Sequence, residues 1–101
     1  MAGGNRLQIS SRFTIAVHML AYISMYGEKE KVTSEILSGS IQVNPVIIRR
    51  LLSRMKTAGL ITVARGSGGA LLAKKEGEIT FLDICRAVDA VHADGLFHFH
   101  E

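Results

Sequence analysis

Residues 44–69 read NPVIIRRLLSRMKTAGLITVARGSGG, and the reading of this stretch decides the fold. Asn44 is a good N-cap, because its side-chain oxygen can accept a bond from a backbone N–H that has no partner inside the helix. Pro45 suits the first helical position, where a missing N–H is harmless. Gly59 can take the left-handed conformation that closes a helix, and Leu60 opens a short β-prone run. At 100° per residue, Ile48, Leu51, Leu52, Met55 and Ala58 share one face, and Val46, Arg49, Arg50, Ser53 and Thr57 the opposite one. One side packs. The other offers two guanidinium groups near the helix start, which suits a helix entering a DNA major groove.

Downstream, Leu60–Ala64 and Ala70–Ala73 are short apolar runs flanking Arg65, Gly66, Ser67, Gly68 and Gly69, the pattern of a β-hairpin. Upstream, Thr33 is an expected N-cap with Glu35 in the first turn, and Ile36, Leu37 and Ile41 form the inward face of a short helix. Only Gln42 and Val43 separate that helix from the Asn44 cap, so the pair reads as a helix-turn-helix with the later helix as reader. A hairpin directly after such a reader is a winged-helix arrangement. Arg65 stands where the wing leaves its strand, and the glycines let backbone approach a phosphate closely. A nucleotide-cradling loop is excluded, because such loops lead into a helix and end in Gly-Lys-Ser/Thr, whereas this one leads into a strand.

Further out, Ser10 or Ser11 can cap a helix running to about Tyr26, with Gly27 as its stop. Phe13, Ile15, Ala16, Val17, Met19, Leu20, Ile23 and two tyrosines make it apolar almost all round, as expected of a central helix touching the core and a partner. His18 within it reads as a satisfied core or interface residue. Past Lys74, Lys75 and a Gly77 turn, Thr80 can cap a helix from Phe81 to about Val91. On it Phe81, Ile84, Cys85 and Val88 share one face, and Asp83, Arg86 and Ala90 face away. Cys85 is expected to be a buried, unreactive small hydrophobe. The end, HADGLFHFHE, holds His98 and His100, which lack a third ligand for a metal site. Its Leu96, Phe97 and Phe99 are apolar enough to fold back, to dock on a partner, or to mark a cut in a longer protein.

The totals agree with one small domain of 101 residues. At 48% hydrophobic, the chain is slightly rich in apolar residues, which fits either a tight core or surface buried against a second subunit. Charge distribution says more than the net +3. Between Ile36 and Lys75 lie seven basic residues (Arg49, Arg50, Arg54, Lys56, Arg65, Lys74 and Lys75) and no acid, while the rest holds five basic against nine acidic. A solvated face mixes both signs; an acid-free basic segment attracts polyanions. A single cysteine rules out an internal disulfide and fits a reducing cytoplasm. The opening MAGGNRLQ has neither the long apolar core nor the cleavage pattern of a signal peptide, and with no run of about 18 uninterrupted apolar residues a membrane span is not expected.

The segment AGLITVARGSGGALLAKKEGEITFLDICRAVD resembles a stretch typical of the Rrf-two family of bacterial winged helix-turn-helix regulators. That stretch has an Ala/Asn-Gly-Leu strand, an Arg-Gly-x-x-Gly-Gly wing and an Ile-Thr-x-x-Asp-Ile-x-x-Ala-Val helix. The opening RLQISSRFTIAVHMLAYIS is similar to that family's first helix, so the resemblance covers roughly residues 6–91. It implies a mainly α fold with a small β-hairpin, a winged helix-turn-helix. It also implies a homodimeric transcription factor, usually a repressor, on a pseudo-palindromic operator in double-stranded DNA. Val46, Arg49 and Arg50 match the family's base-reading positions, and Arg65 its minor-groove arginine; Arg49 stands where some members carry glutamate. The iron–sulfur cluster of several members needs three cysteines beyond the fourth helix, and this chain has none after Cys85. Some members add an acidic ligand early in the first helix, where this chain has Arg12. No cofactor and no metal site are therefore expected from these residues.

The expected organisation is a DNA-binding domain over 1–91 and a tail over 92–101, where a dimerisation region could begin. Expected DNA contacts are Thr33, Asn44, Val46, Arg49, Arg50, Ser53, Arg65, Gly66, Ser67 and Gly68. No catalytic set of Ser/His/Asp or Cys/His type stands at motif spacing, so no enzyme is expected. The competing reading is a winged-helix protein-interaction module without DNA readout, supported by the apolar first helix and tail.

Overall fold

The computed structural model describes residues 11–66 and 68–96, with side chains up to Val88. In chain order these form helix α1 (Ser11–Tyr26), helix α2 (Ser34–Ile41), helix α3 (Pro45–Thr57), strands β1 (Ile61–Val63) and β2 (Ala70–Leu72), a 3-10 turn (Glu76–Glu78) and helix α4 (Phe81–Leu96). The strands pair antiparallel, with Ile61 opposite Leu72, Thr62 opposite Leu71 and Val63 opposite Ala70. Mainly helical architecture with a hairpin after the helix-turn-helix pair is a winged helix.

Local chemistry sets most boundaries. The Thr33 side chain accepts from the Ile36 N–H at 3.2 Å, and the Asn44 side chain from the Val46 N–H at 2.7 Å. Each satisfies one donor that its helix leaves open. Helix α3 closes with Gly59 at φ +81°, its N–H bonded to Lys56 O and that of Leu60 to Met55 O. This paired Schellman closure turns Leu60 into the core. Helix α4 opens with a reciprocal box: the Asp83 N–H donates to Thr80 Oγ1 and the Thr80 N–H to Asp83 Oδ2, both at 3.0 Å.

The turn of the helix-turn-helix uses Gln42 in a left-handed conformation, φ 64° and ψ 50°. Gln42 and Val43 both donate to Ser38 O, and the Ser38 hydroxyl donates to Val43 O at 2.6 Å. Glycine is the usual occupant of such a position, since it has no Cβ to crowd the carbonyl. Here local hydrogen bonds hold a glutamine there instead.

The core lies where the elements converge. Ala16, Met19, Leu20 and Ile23 of α1 meet Leu37 of α2, Ile48, Leu51, Leu52 and Met55 of α3, Leu60, Ile61 and Ala70 of the hairpin, and Ile84, Ala87 and Val88 of α4. Fully burying a side chain such as Leu51 or Met55 is worth about 1.5–3 kcal/mol against leaving it exposed. At the hairpin's outer margin the Ala70 N–H donates to Val32 O at 2.9 Å, and at its base the Ala73 N–H donates to Leu60 O at 2.9 Å. Val32 is itself fully buried.

Several expectations shift. Ala58 is exposed, because it is the C-cap of α3 and lies past the last packed turn. Ile36 is largely exposed, leaving Leu37 and half-buried Ile41 to pack α2. His18 is exposed on the outer side of α1, which removes the core alternative and leaves the interface one. The packed face of α4 is centred on Ile84, Ala87 and Val88, which leaves Cys85 half-buried at its margin. Phe81, 61% exposed, is outside the core, with its ring 4.8 Å from that of Phe13. Helix α4 also continues to Leu96, beyond the end expected near Val91. Residues 1–10, Ser67 and 97–101, with His98, His100, Phe97 and Phe99, lie outside the described residues. No helix among the described residues is long and apolar enough to cross a membrane.

Candidate nucleic-acid interface

The packed face of α3 fixes its outward one. Ile48, Leu51, Leu52 and Met55 are buried, so helical geometry turns Val46, Arg49, Arg50 and Ser53 outward, and all four are exposed. Val46, at 51%, is unusually exposed for an aliphatic residue on an ordered helix. The single charged pair recorded among the described residues joins Lys74 and Asp83 at 3.7 Å. No described carboxylate pairs with Arg49, Arg50 or Arg65, so their donors face solvent.

The helix starts are a second candidate surface. The Thr33 cap leaves the Ser34 and Glu35 N–H groups at the start of α2 without a helical partner, whereas in α3 Pro45 has no N–H and those of Val46 and Ile47 are taken by Asn44, so that start offers only its partial positive charge. Asn44 is exposed and Thr33 half-buried. Such N–H groups suit the phosphates that flank a groove.

The wing supplies the third. Its tip is closed by Ala64 N–H to Gly69 O and Gly68 N–H to Ala64 O, both 2.9 Å. Gly66 and Gly68 have φ +81° and +76°, and a Cβ at either would meet open space. Glycine is therefore demanded by backbone conformation, not by crowding. Arg65, exposed, precedes this turn. Ser67, expected with it, lies outside the described residues.

One neighbour of the wing was not evident from sequence. Lys31, in the loop after α1, lies beneath Gly69: a Cβ on Gly69 would stand 3.5 Å from Lys31 Cα and 3.8 Å from its Cγ. The same loop is anchored by Lys29 and Glu30 N–H donation to Tyr26 O, and by Tyr22 OH donation to Glu30 Oε2 at 2.9 Å. That bond to a carboxylate raises the Tyr22 phenol above its ordinary pKa. Lys31 belongs to no motif, and only the fold brings it to the wing.

Comparison with known proteins agrees with this fold. Residues 9–98 match the family model Rrf2, the Rrf-two family, described as iron-dependent transcriptional regulators. The chain is 41% identical over 93 residues to YwnA of Bacillus subtilis, a candidate HTH-type transcriptional regulator. The match takes in 92% of this chain and 66% of YwnA, just under two thirds of that relative's length. Among solved structures, a candidate DNA-binding protein is 35% identical and superposes with a TM-score of 0.70, over 87% of this chain and 80% of its own. CymR, the global cysteine regulator of B. subtilis, shares the fold at 21% identity and a TM-score of 0.73, over 81% and 64% of the two chains. As for the iron in the family's description, no group of three or more His, Cys, Asp or Glu stands together among the described residues. Cys85, the one cysteine, sits half-buried on α4. The described residues do not fit an iron site.

Proposed function

The chain belongs to the Rrf2 family of transcriptional regulators, which are not enzymes, and on that premise we propose that it binds duplex DNA sequence-specifically, as a homodimer, and represses transcription. The observation that carries this reading is the exposed face of α3, where Arg49 and Arg50 stand beside Val46 and Ser53 with no described carboxylate paired to either arginine.

Each group has a chemical task in this reading. A guanidinium from Arg49 or Arg50 donates two parallel bonds to guanine O6 and N7, worth about 1–3 kcal/mol of discrimination. Val46 packs on a thymine methyl, and Ser53 donates to or accepts from a base edge or phosphate. The first turns after Thr33 and Asn44 face phosphates. Arg65 enters the minor groove while the Gly66 and Gly68 backbone lies along the strand, and Ser67 is a further contact in this reading. Lys56, Lys74 and Lys75 steer the encounter and add no sequence information. Two copies related by a two-fold axis place their reading helices about 34–36 Å apart, one turn of duplex. The reading domain spans 1–91 and acts in the cytoplasm. Residues 92–101 lead toward the dimer contact, with α4 running through that boundary to Leu96.

Selection of bound fragments from a random duplex library tests this directly. An enriched palindrome with half-sites one helical turn apart is expected. Retention of all sequences alike would sink the proposal of base reading, and an enriched single half-site would sink the dimer. Repression is read separately, as loss of transcript from a promoter that carries the selected site.

A further inference from the structure

Beside its DNA face, α3 carries a second stripe. Ile47, Arg50, Leu51 and Arg54 lie at i, i+3, i+4 and i+7, one flank of the helix. Opposite them is the first turn of α1, with Ser11, Arg12 and Ile15. The two flanks enclose an open recess of 410 Å³. Its floor is apolar, formed by buried Leu51 and half-buried Ile15, with Ile47 at 38% exposure. Three arginines, Arg12, Arg50 and Arg54, complete its lining as a rim around that floor, and among the described residues no carboxylate lines it. Among the described residues none of the three forms an ion pair.

We infer that this recess binds a small organic anion with an apolar body, such as an aromatic carboxylate, and that its occupancy takes Arg50 away from DNA. Three like charges around an apolar hollow repel one another, and water screens them less there than on an open surface. An anion relieves that repulsion, and an apolar body fills the floor. The volume lies within the range of about 300–1,000 Å³ for small-molecule sites. A DNA phosphate satisfies the rim only, since it brings nothing to cover Ile15, Ile47 and Leu51. Because Arg50 belongs both to the rim and to the exposed face of α3, one guanidinium cannot serve both ligands at once. The competition rests on the DNA reading; the anion site does not.

The test uses 1-anilinonaphthalene-8-sulfonate, which joins an apolar body to a sulfonate. Its fluorescence on the full chain should rise to saturation and be reversed by benzoate, but not by benzyl alcohol or inorganic phosphate. Arg12→Gln should weaken probe binding about tenfold or more, while Arg86→Gln, with the same loss of charge on exposed α4 surface, should leave it unchanged. Probe binding that ignores Arg12, or that inorganic phosphate reverses as well as benzoate does, overturns the site. For competition, saturating probe should release bound duplex from the wild type and not from Arg12→Gln; release from neither overturns the link to Arg50. If no duplex binds while probe binding still depends on Arg12, the site stands and the DNA reading falls.

Discussion

Gly27 lies directly against Ala70: a Cβ built on Gly27 would stand 3.2 Å from the Ala70 carbonyl oxygen and 2.6 Å from that of Ile23. Both obstacles are backbone, one in the last turn of α1 and one in β2, and neither can swing aside as a side chain could. Leu71 Cδ2 also lies 3.2 Å from that position, so the helix end and the wing strand pack here with no room for a further side-chain atom. Gly27→Ala is therefore expected to destabilise the fold by about 1–3 kcal/mol, the usual range for overpacking. Thermal unfolding reads this as a fall in Tm of roughly 4–8 °C per kcal/mol for a domain of this size. An unchanged Tm would show that the two elements separate freely.

Gln42 makes the opposite prediction. A left-handed non-glycine residue costs roughly 1–2 kcal/mol, and Gln42→Gly removes that strain while adding freedom to the unfolded chain, which takes back about 0.4–1 kcal/mol. A net gain of several tenths of a kcal/mol is expected in denaturant titration. Gln42→Val should lose stability, since a β-branched side chain tolerates this conformation least.

The start of α4 should report acid. The bond that Asp83 accepts from the Thr80 backbone holds its carboxyl below the ordinary range, helped by the Thr80 hydroxyl and by Lys74 and Arg86. The native pKa lies below the unfolded one, so this stabilisation is complete above the unfolded value, about 3.9. It is lost as pH falls through the depressed native value. Asp83→Asn should be less stable near neutrality, and its stability should fall less steeply below about pH 4. Thr80→Ala removes the cap itself at a cost of about 1 kcal/mol.

Helix and wing should separate in binding data. Arg65→Ala should weaken binding to every duplex and lower the slope of log K against log salt by about 1, the mark of one lost phosphate-region contact. Arg49→Ala should change the preferred base at one position of each half-site, with about 1–3 kcal/mol of discrimination lost there. Equal losses of affinity for all sequences from both variants would contradict the division of labour.

What was legible in the chain was what short-range chemistry decides. The Asn44 and Thr33 caps, the Gly59 closure, the packed stripe of α3 and the hairpin around Arg65 each follow from residues within a turn of one another, and the structure agrees. Misjudged residues depended on distant partners. Phe81 lies on an apolar stripe by periodicity, yet its first-turn position turns its ring toward Phe13, away from the core. Cys85 falls to the margin because Ala87, small and uninformative in a pattern, takes the centre. Gly27 reads as a helix stop, and the hardest obstacle to a Cβ there is the local Ile23 carbonyl; what the pattern could not show is that Ala70 and Leu71, far along the chain, crowd the same spot. The exposed face of α3 carries the expected residues; the placement of Lys31 under the wing and of Arg12 beside Arg50 is tertiary.

The bond from the Ala70 N–H to Val32 O has a thermodynamic consequence. Strand β2 is held by β1 on one margin and by the α1–α2 loop on the other, so it is fixed on both sides beside the turn. Fixing the backbone of one residue costs about 1–2 kcal/mol in lost conformational freedom. A strand already held on both margins has met that loss on folding, so the heat-capacity change on meeting DNA should reflect buried surface and not coupled folding of that strand.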